Sequence, residues 1–216
     1  ASILLDFGRQ LHGGVNITVW SCGRQLAKGK FRVRFGESAM EAMSELKGER
    51  NATNDHAIRD QVIEISSLGH TEIGNTGFRF VRIDLLGENC FAELKSVRAV
   101  HLIRDLDYAG SFRSNDALLN EIWQTGAYTV HLNMQDYLWD GIKRDRLVWI
   151  GDMHPETSTI QAVFGYHDIV PQSLDLVRED TPLPNWMNHM PPYSIWWILI
   201  QHDWYKQNGD LVYLRE

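Results

Sequence analysis

Between Asp140 and Asp152 the chain runs Asp-Gly-Ile-Lys-Arg-Asp-Arg-Leu-Val-Trp-Ile-Gly-Asp. Thirteen residues thus hold the carboxylates Asp140, Asp145 and Asp152, the cations Lys143, Arg144 and Arg146, and Trp149. That set suits a carbohydrate. Ionised carboxylates accept hydrogen bonds from neighbouring hydroxyls, an indole face packs on the C–H surface of a ring, and one carboxyl can pass a proton to a leaving oxygen. The same residues also read as a solvated loop of Asp–Arg pairs anchored by one Trp, because charge runs commonly form exposed faces.

These side chains need a scaffold, and the composition supports two domains. The chain has 216 residues, 44% of them hydrophobic, with eight Trp, enough for proper cores. A formal net charge of −7 without a basic stripe argues against a nucleic-acid partner. No apolar run is long enough for a membrane span. The longest apolar patch, Ile195 to Ile200, reads as a buried helix face. Cys22 and Cys90 are the only cysteines and read as buried free thiols. No His or Cys spacing resembles a zinc site, so neither metal nor cofactor is expected; His154, His167, His189 and His202 read as helix-end or polar-face residues. Asn16-Ile-Thr18 and Asn51-Ala-Thr53 match the glycosylation pattern, a frequent chance occurrence.

Two kinds of hydrophobic period divide the chain. Val15–Trp20, Lys30–Phe35, Gln61–Ile65, Phe78–Ile83 and Glu93–Ile103 alternate apolar and polar residues as half-buried strands do. Gly13-Gly14, Gly23, Gly36, Gly48, Gly74, Gly77 and Gly87 read as turns between them, and this spacing predicts a β-sandwich. Glu37–Leu46 reads as a short amphipathic helix between strands. The period changes near Asp105–Gly110. Ser114 then reads as an N-cap, followed by Leu118, Leu119, Ile122, Trp123, Gly126 and Val130 at helical spacing. A second helix is predicted to begin at His154-Pro-Glu156, with Pro155 in its first turn. A third is predicted over about 170–179 and a fourth over about 193–207, separated by the Pro-rich loop 181–192. Gly209 reads as a C-cap and Asp210–Glu216 as the start of another helix, so the chain is expected to be part of a longer protein.

Phe112–Trp123 together with Asp140–Asp152 resembles the beginning of the catalytic domain of bacterial α-L-rhamnosidases, glycoside hydrolase family 78. The family pattern is Asp, a short spacer, Arg, an acidic residue, then Leu, Trp, Gly and Asp. Asp140, Arg144, Asp145, Leu147, Trp149, Gly151 and Asp152 match it in order. Weaker echoes lie in Leu5–Gly8 and Gly77–Val81. The resemblance implies a β-sandwich over residues 1–106, then over 107–216 the N-terminal part of an (α/α)6 barrel, an incomplete toroid of helical hairpins.

The resemblance also implies roles. Asp145 stands at the position of the general acid, where the family commonly carries Glu. An Asp carboxyl reaches about 1.5 Å less far, one C–C bond. Burial beside Leu147 and Trp149 would favour its protonated form, so the adjacent Arg144 guanidinium is expected to point elsewhere. Asp140, Arg144, Trp149 and Asp152 fall at substrate-binding positions. The family's base has no counterpart here; Glu156 and Asp168 read as ordinary helix-end charges. The loop with Trp186 and His189 is either another pocket rim or a plain connection. The implied function is inverting hydrolysis of terminal α-L-rhamnose from glycosides or polysaccharides, with the base outside these residues and a rhamnose-containing glycan as partner. A non-catalytic carbohydrate-binding relative and a six-hairpin glycosidase of other sugar specificity stay open, as does a purely structural module.

Overall fold

The computed structural model describes residues 1–23, 28–46 and 59–216. Gly48 and the Asn51–Thr53 glycosylation pattern lie outside them. The chain divides into two compact units: 1–102 with 142–145, and 103–141 with 146–216.

The first unit is a five-stranded antiparallel sheet in the order β3-β2-β4-β1-β5, consistent with a β-sandwich. Its strands are β1 (Ser2–Cys22), β2 (Lys28–Gly36), β3 (Asp60–Ser66), β4 (His70–Leu86) and β5 (Ala92–His101). Each alternating segment of the sequence falls on one of them, Glu93–Ile103 running two residues past the end of β5. Val15, Ile17 and Val19 of β1, Phe31, Val33 and Phe35 of β2, and Val81 and Ile83 of β4 form one apolar core. The pairing puts like with like: Val15 lies opposite Ile73 on one side and Ala99 on the other, and Val33 lies opposite Ile83. A one-residue slip would turn this whole set to the wrong face. The helix expected after β2 is α1 (Ala39–Met43), capped by Ser38, whose side chain accepts from the Glu41 N–H.

Two expectations about this unit need correction. Gly13, Gly14, Gly74 and Gly77 are not turns; they lie inside β1 and β4, with an irregularity in register between Gly13 and Gly14. Gly13 has φ +134°, and a Cβ at Gly14 would come within 2.2 Å of the Ile73 carbonyl oxygen, so two backbones meet where only glycine fits. Cys22 is a buried free thiol as expected, but Cys90 is exposed, just past β4. Its thiol donates to the Gly87 carbonyl at 3.1 Å.

A polar cluster sits on the same sheet. The Asp84 carboxylate accepts from the Arg34 guanidinium at 2.9 Å, from the Arg82 guanidinium at 2.8 Å and from the Ser2 hydroxyl at 2.6 Å. Burial alone would raise the Asp84 pKa, but the three donors outweigh it and hold the carboxyl below its ordinary range.

The second unit is helical: α2 (Ala117–Asn133), α3 (Ile150–Val163), α4 (Ile169–Asp180), a short 3-10 turn (Met187–His189), α5 (Pro191–Asn208) and α6 (Leu211–Arg215). Its only β pairing among the described residues is a single bridge between Met134 and Leu138. Helix α3 packs against α2, α4 and α5. Met153, Ile160, Ile169, Leu174, Ile200 and Trp204 build the core between them. Gly209 ends α5 in the left-handed conformation, and the Asp210 carboxylate caps α6 by accepting from Val212 and Tyr213 N–H.

Three helix details differ from expectation. The cap of α2 is Asp116, which accepts from the Leu118 N–H at 2.8 Å, while the Ser114 hydroxyl is engaged in the preceding turn. Helix α3 begins at Ile150, so Pro155 lies inside it. The apolar patch Ile195–Ile200 is not a buried face: Ile200 is buried, but Ile195 and Ile198 are about 60% exposed. Six consecutive apolar residues cover every side of a helix, and these neighbours cover one.

Candidate functional site

The chemistry-bearing segment joins α2 to α3, and backbone bonds shape it. The Trp139 N–H donates to the Asn133 carbonyl at 3.0 Å. Asp140 and Leu147 then close a loop twice over. The Asp140 N–H donates to the Leu147 carbonyl at 2.9 Å, and the Asp140 carboxylate accepts from the Leu147 N–H at 3.0 Å. Arg146 takes a positive φ of 53° inside this loop. One Asp140 oxygen therefore has a structural duty, and the carboxylate is held in place by the loop it closes.

Helix α3 starts without a side-chain cap from its own segment: Trp149 occupies the cap position and makes no such bond. Asn188, far along the chain, supplies it. Its side-chain oxygen accepts from the Ile150 N–H at 3.1 Å and its amide donates to the Val148 carbonyl at 3.0 Å. Trp149 is thereby clamped from both flanks, and its ring meets Tyr193 edge to face at 6.1 Å. The same Tyr193 explains Gly151, because a Cβ there would strike the phenol ring at 2.5 Å. Asp152 lies exposed in the first turn of α3, where the helix dipole favours a carboxylate.

Glu156 lies one turn deeper than Asp152 on α3. It is only 7% exposed, so it is not the helix-end charge its sequence position suggests. The Asn133 amide donates to its Oε1 at 2.8 Å, and its Oε2 is buried with no hydrogen-bond partner. Burial pushes its pKa to about 8; the Asn133 bond works against this, and the charges of Asp152 and Asp140 add to it. The raised pKa favours the neutral form of Glu156. Asp168, in contrast, is an exposed residue at the start of α4, as its position suggests.

Residues 142–145 pack with the β unit. Ile142 is buried there, and Lys143 pairs with Glu41 at 2.5 Å and Glu37 at 3.1 Å. The Arg144 side chain does not point away from Asp145. Its Nε and Nη2 donate to the two Asp145 oxygens at 3.0 and 3.1 Å, a bidentate grip that satisfies the carboxylate as an acceptor. Asp140, Trp149 and Asp152 thus share the helical unit, while Arg144 and Asp145 share the other.

The 181–190 loop also lines a cavity. Trp186, Asn188 and His189 border a space of about 260 Å³ together with Leu147, Val148 and Val177. Trp186 is about half exposed beside it. Among the described residues, no cluster of His, Cys, Asp or Glu is placed to hold a metal ion, and no helix is long and apolar enough to cross a membrane.

Residues 107–210 match the family described as the bacterial alpha-L-rhamnosidase 6 hairpin glycosidase domain. That match covers the helical part of the chain and, with the solved structures, supports the resemblance to glycoside hydrolase family 78. Solved structures agree in fold over both halves. A rhamnosidase from Klebsiella oxytoca with rhamnose bound is 19% identical with a TM-score of 0.86, over 100% of this chain and 46% of that one. The family 78 rhamnosidase of Bacillus sp. GL1 is 22% identical with a TM-score of 0.73, over 98% and 22% of the two chains. The α-L-rhamnosidase from Dictyoglumus thermophilum is 21% identical with a TM-score of 0.72, over 99% and 25%. The chain therefore spans less than half the length of each of these relatives. No curated protein matches it.

Proposed function

We propose that these residues form part of a glycoside hydrolase that releases terminal α-L-rhamnose from glycosides or polysaccharides by inversion. Residues 1–106 would be the sandwich domain and residues 107–216 the first part of the barrel. The observation that carries this reading is the family match across 107–210, within which Asp140, Trp149 and Asp152 surround the start of one helix.

In this reading Asp140 and Asp152 accept hydrogen bonds from sugar hydroxyls, and the Trp149 ring supplies an apolar wall. Asp145 gives its proton to the glycosidic oxygen as the bond from that oxygen to the anomeric carbon breaks. Water attacks the opposite face of the sugar and yields its proton to a base outside these residues, about 6.5–9.5 Å from the acid. The Arg144–Asp145 pair has a consequence for this step. A carboxylate gripped at both oxygens by a guanidinium is not a proton donor, so Arg144 must let go when substrate arrives. Its own place in the pattern as a substrate-binding residue gives it somewhere to go: a sugar hydroxyl, to which it donates in place of the carboxylate. The rhamnose held by the Klebsiella oxytoca relative supports the choice of glycone. The test is turnover of an aryl α-L-rhamnoside by the intact enzyme, set against the α-D-mannoside and α-L-fucoside.

The same ion pair favours a second reading, a sugar-binding relative without turnover, in which Asp145 stays an ion-pair acceptor. Rhamnose binding with no hydrolysis of any rhamnoside would select it.

A further inference from the structure

We propose that Lys143 is a positioning residue for the acid: its ammonium, held by Glu41 and Glu37, fixes the backbone from which Asp145 reaches the glycosidic oxygen. This rests on the functional reading above and gives a role to α1, which the site has not so far used.

Asp145 follows Lys143 by two residues, so at most about 7 Å of chain separates their α-carbons. Whatever seats the 142–143 stretch therefore limits where the acid can go. Two contacts seat it. Ile142 is buried against β4, filling the space above Gly77, where a Cβ would come within 2.8 Å of the Ile142 Cγ1. Gly77 is a glycine because that side chain needs the room. Next to this apolar seat, the Lys143 ammonium lies 2.5 Å from Glu41 Oε1 and donates to Glu37 Oε2 at 3.1 Å.

The two carboxylates are themselves fixed. Glu41 Oε2 accepts from the Glu37 N–H at 2.8 Å, and Glu37 Oε1 accepts from the Gln10 amide at 2.7 Å. The Lys143 and Glu41 side chains are only 13% and 7% exposed, so salt and water weaken this pair less than they weaken a surface pair. Arg144, in contrast, is mostly exposed and engages Asp145 itself. Once Arg144 releases the carboxyl, the acid keeps only its own backbone as a mount. An Asp carboxyl stands on a single methylene, so its reach is set largely by that backbone. A proton donor must lie about 2.6–3.2 Å from its target oxygen, and an error of about 1 Å can cost about 10²-fold. The ion pair on α1 supplies the required constraint.

The test is kcat and KM of the intact enzyme on a natural rhamnoside and on an aryl rhamnoside with an acidic phenol. The variants are Lys143→Met, Lys143→Arg and the double variant Lys143→Met with Glu41→Gln. A misplaced acid harms the substrate that needs its proton. Lys143→Met should lower kcat on the natural rhamnoside about 10²-fold and on the aryl rhamnoside by less than about tenfold, with KM little changed. Lys143→Arg keeps the charge and should recover most of the loss. Lys143→Met also leaves Glu41 buried without its cation, which destabilises the protein. The double variant removes both charges, so it should regain stability and keep the defect in kcat. Equal losses on the two substrates, or a double variant with wild-type kcat, overturn the proposal and leave Lys143 a folding role alone.

A substrate-free readout separates this from the functional reading. Trypsin can cut after Arg144 and Arg146 only when their stretch leaves its seat, so native-state cleavage there should be about tenfold faster in both Met variants. Unchanged cleavage sinks the positioning role whether or not the enzyme turns over rhamnosides. Faster cleavage in a protein that hydrolyses no rhamnoside supports the anchor and rejects only the enzymatic reading.

Discussion

Arg144 holds both carboxylate oxygens of its neighbour Asp145, at 3.0 and 3.1 Å. The proposed acid is therefore an ion-pair partner, and substrate has to compete for the guanidinium. If Arg144 turns to the sugar, Arg144→Ala removes a charge-assisted hydrogen bond worth about 1.5–3 kcal/mol. That corresponds to a loss of about 10–150-fold in kcat/KM, expressed mainly in KM. Arg144→Lys should recover little of it, since an ammonium cannot reproduce the planar fork. An unchanged KM in the Ala variant would show that Arg144 only masks Asp145.

Asn188 should be a stability residue despite lying in a loop. Its side chain caps α3 through the Ile150 N–H and holds the Val148 carbonyl. Asn188→Ala should cost about 1–2 kcal/mol in urea unfolding, the usual worth of a lost cap. The left-handed backbone there, φ 48°, adds to the penalty for any residue less tolerant of it than Asn. Asn188→Asp keeps the acceptor for Ile150 and loses the donor to Val148, so it should fall between. A stability equal to wild type in Asn188→Ala would mean that Trp149 is held by its ring contacts alone.

In the β unit, Asp84 is the acceptor on which Ser2, Arg34 and Arg82 converge. Asp84→Asn removes one of the two carboxylates paired with the buried Arg34, Glu45 at 3.0 Å being the other, and should cost about 1.5–3 kcal/mol at pH 7. The sign with pH follows from the lowered pKa. The contribution is present above the unfolded value of about 3.9 and lost as pH falls through the folded value. Urea midpoints of wild type and Asp84→Asn should therefore converge below about pH 3.9. A constant gap across that range would rule out the carboxylate as the source.

Glu156 predicts the opposite slope. Its pKa is raised, so the folded state keeps a proton that the unfolded chain gives up above about 4.3. Its contribution is fully present below about pH 4.3 and is lost as pH rises through about 8. Glu156→Gln should match wild type near pH 4 and exceed it near pH 9 by about 1–3 kcal/mol. Equal stability of the two proteins at pH 9 would mean that the site hydrates and the carboxyl ionises without penalty.

What could be read from the chain alone depended on whether a signal was local. Val15, Ile17 and Val19 announce a strand because alternation is written within five residues, and the 140–152 pattern announces a site in the same way. Gly13 and Gly74 do not announce a close crossing of strands, because a glycine in a turn and one beneath another backbone look alike until the partner is known. Pro155 is a good first-turn residue by local rules, yet α3 starts five residues earlier because Asn188, some forty residues on, caps it. Glu156 was missed for a related reason: its burial depends on Asn133 and the packing of α2 against α3. The one local hint was its spacing of four from Asp152, which puts both on one helix face. Asp145 and Arg144 were legible as neighbours but not as a pair, since adjacency allows either geometry.

The central claim is that Asp145 supplies the proton, and Asp145→Asn in the intact enzyme tests it most directly. Turnover of a natural rhamnoside should fall by about 10²–10⁴-fold, the usual worth of general acid catalysis, while an aryl rhamnoside with an acidic phenol should lose much less. Asp140→Asn, set beside it, should impair both substrates alike, because a hydroxyl-binding carboxylate serves every leaving group equally. If Asp145→Asn instead keeps natural-substrate rates within a few-fold of wild type, the acid is another residue and the assignment is wrong.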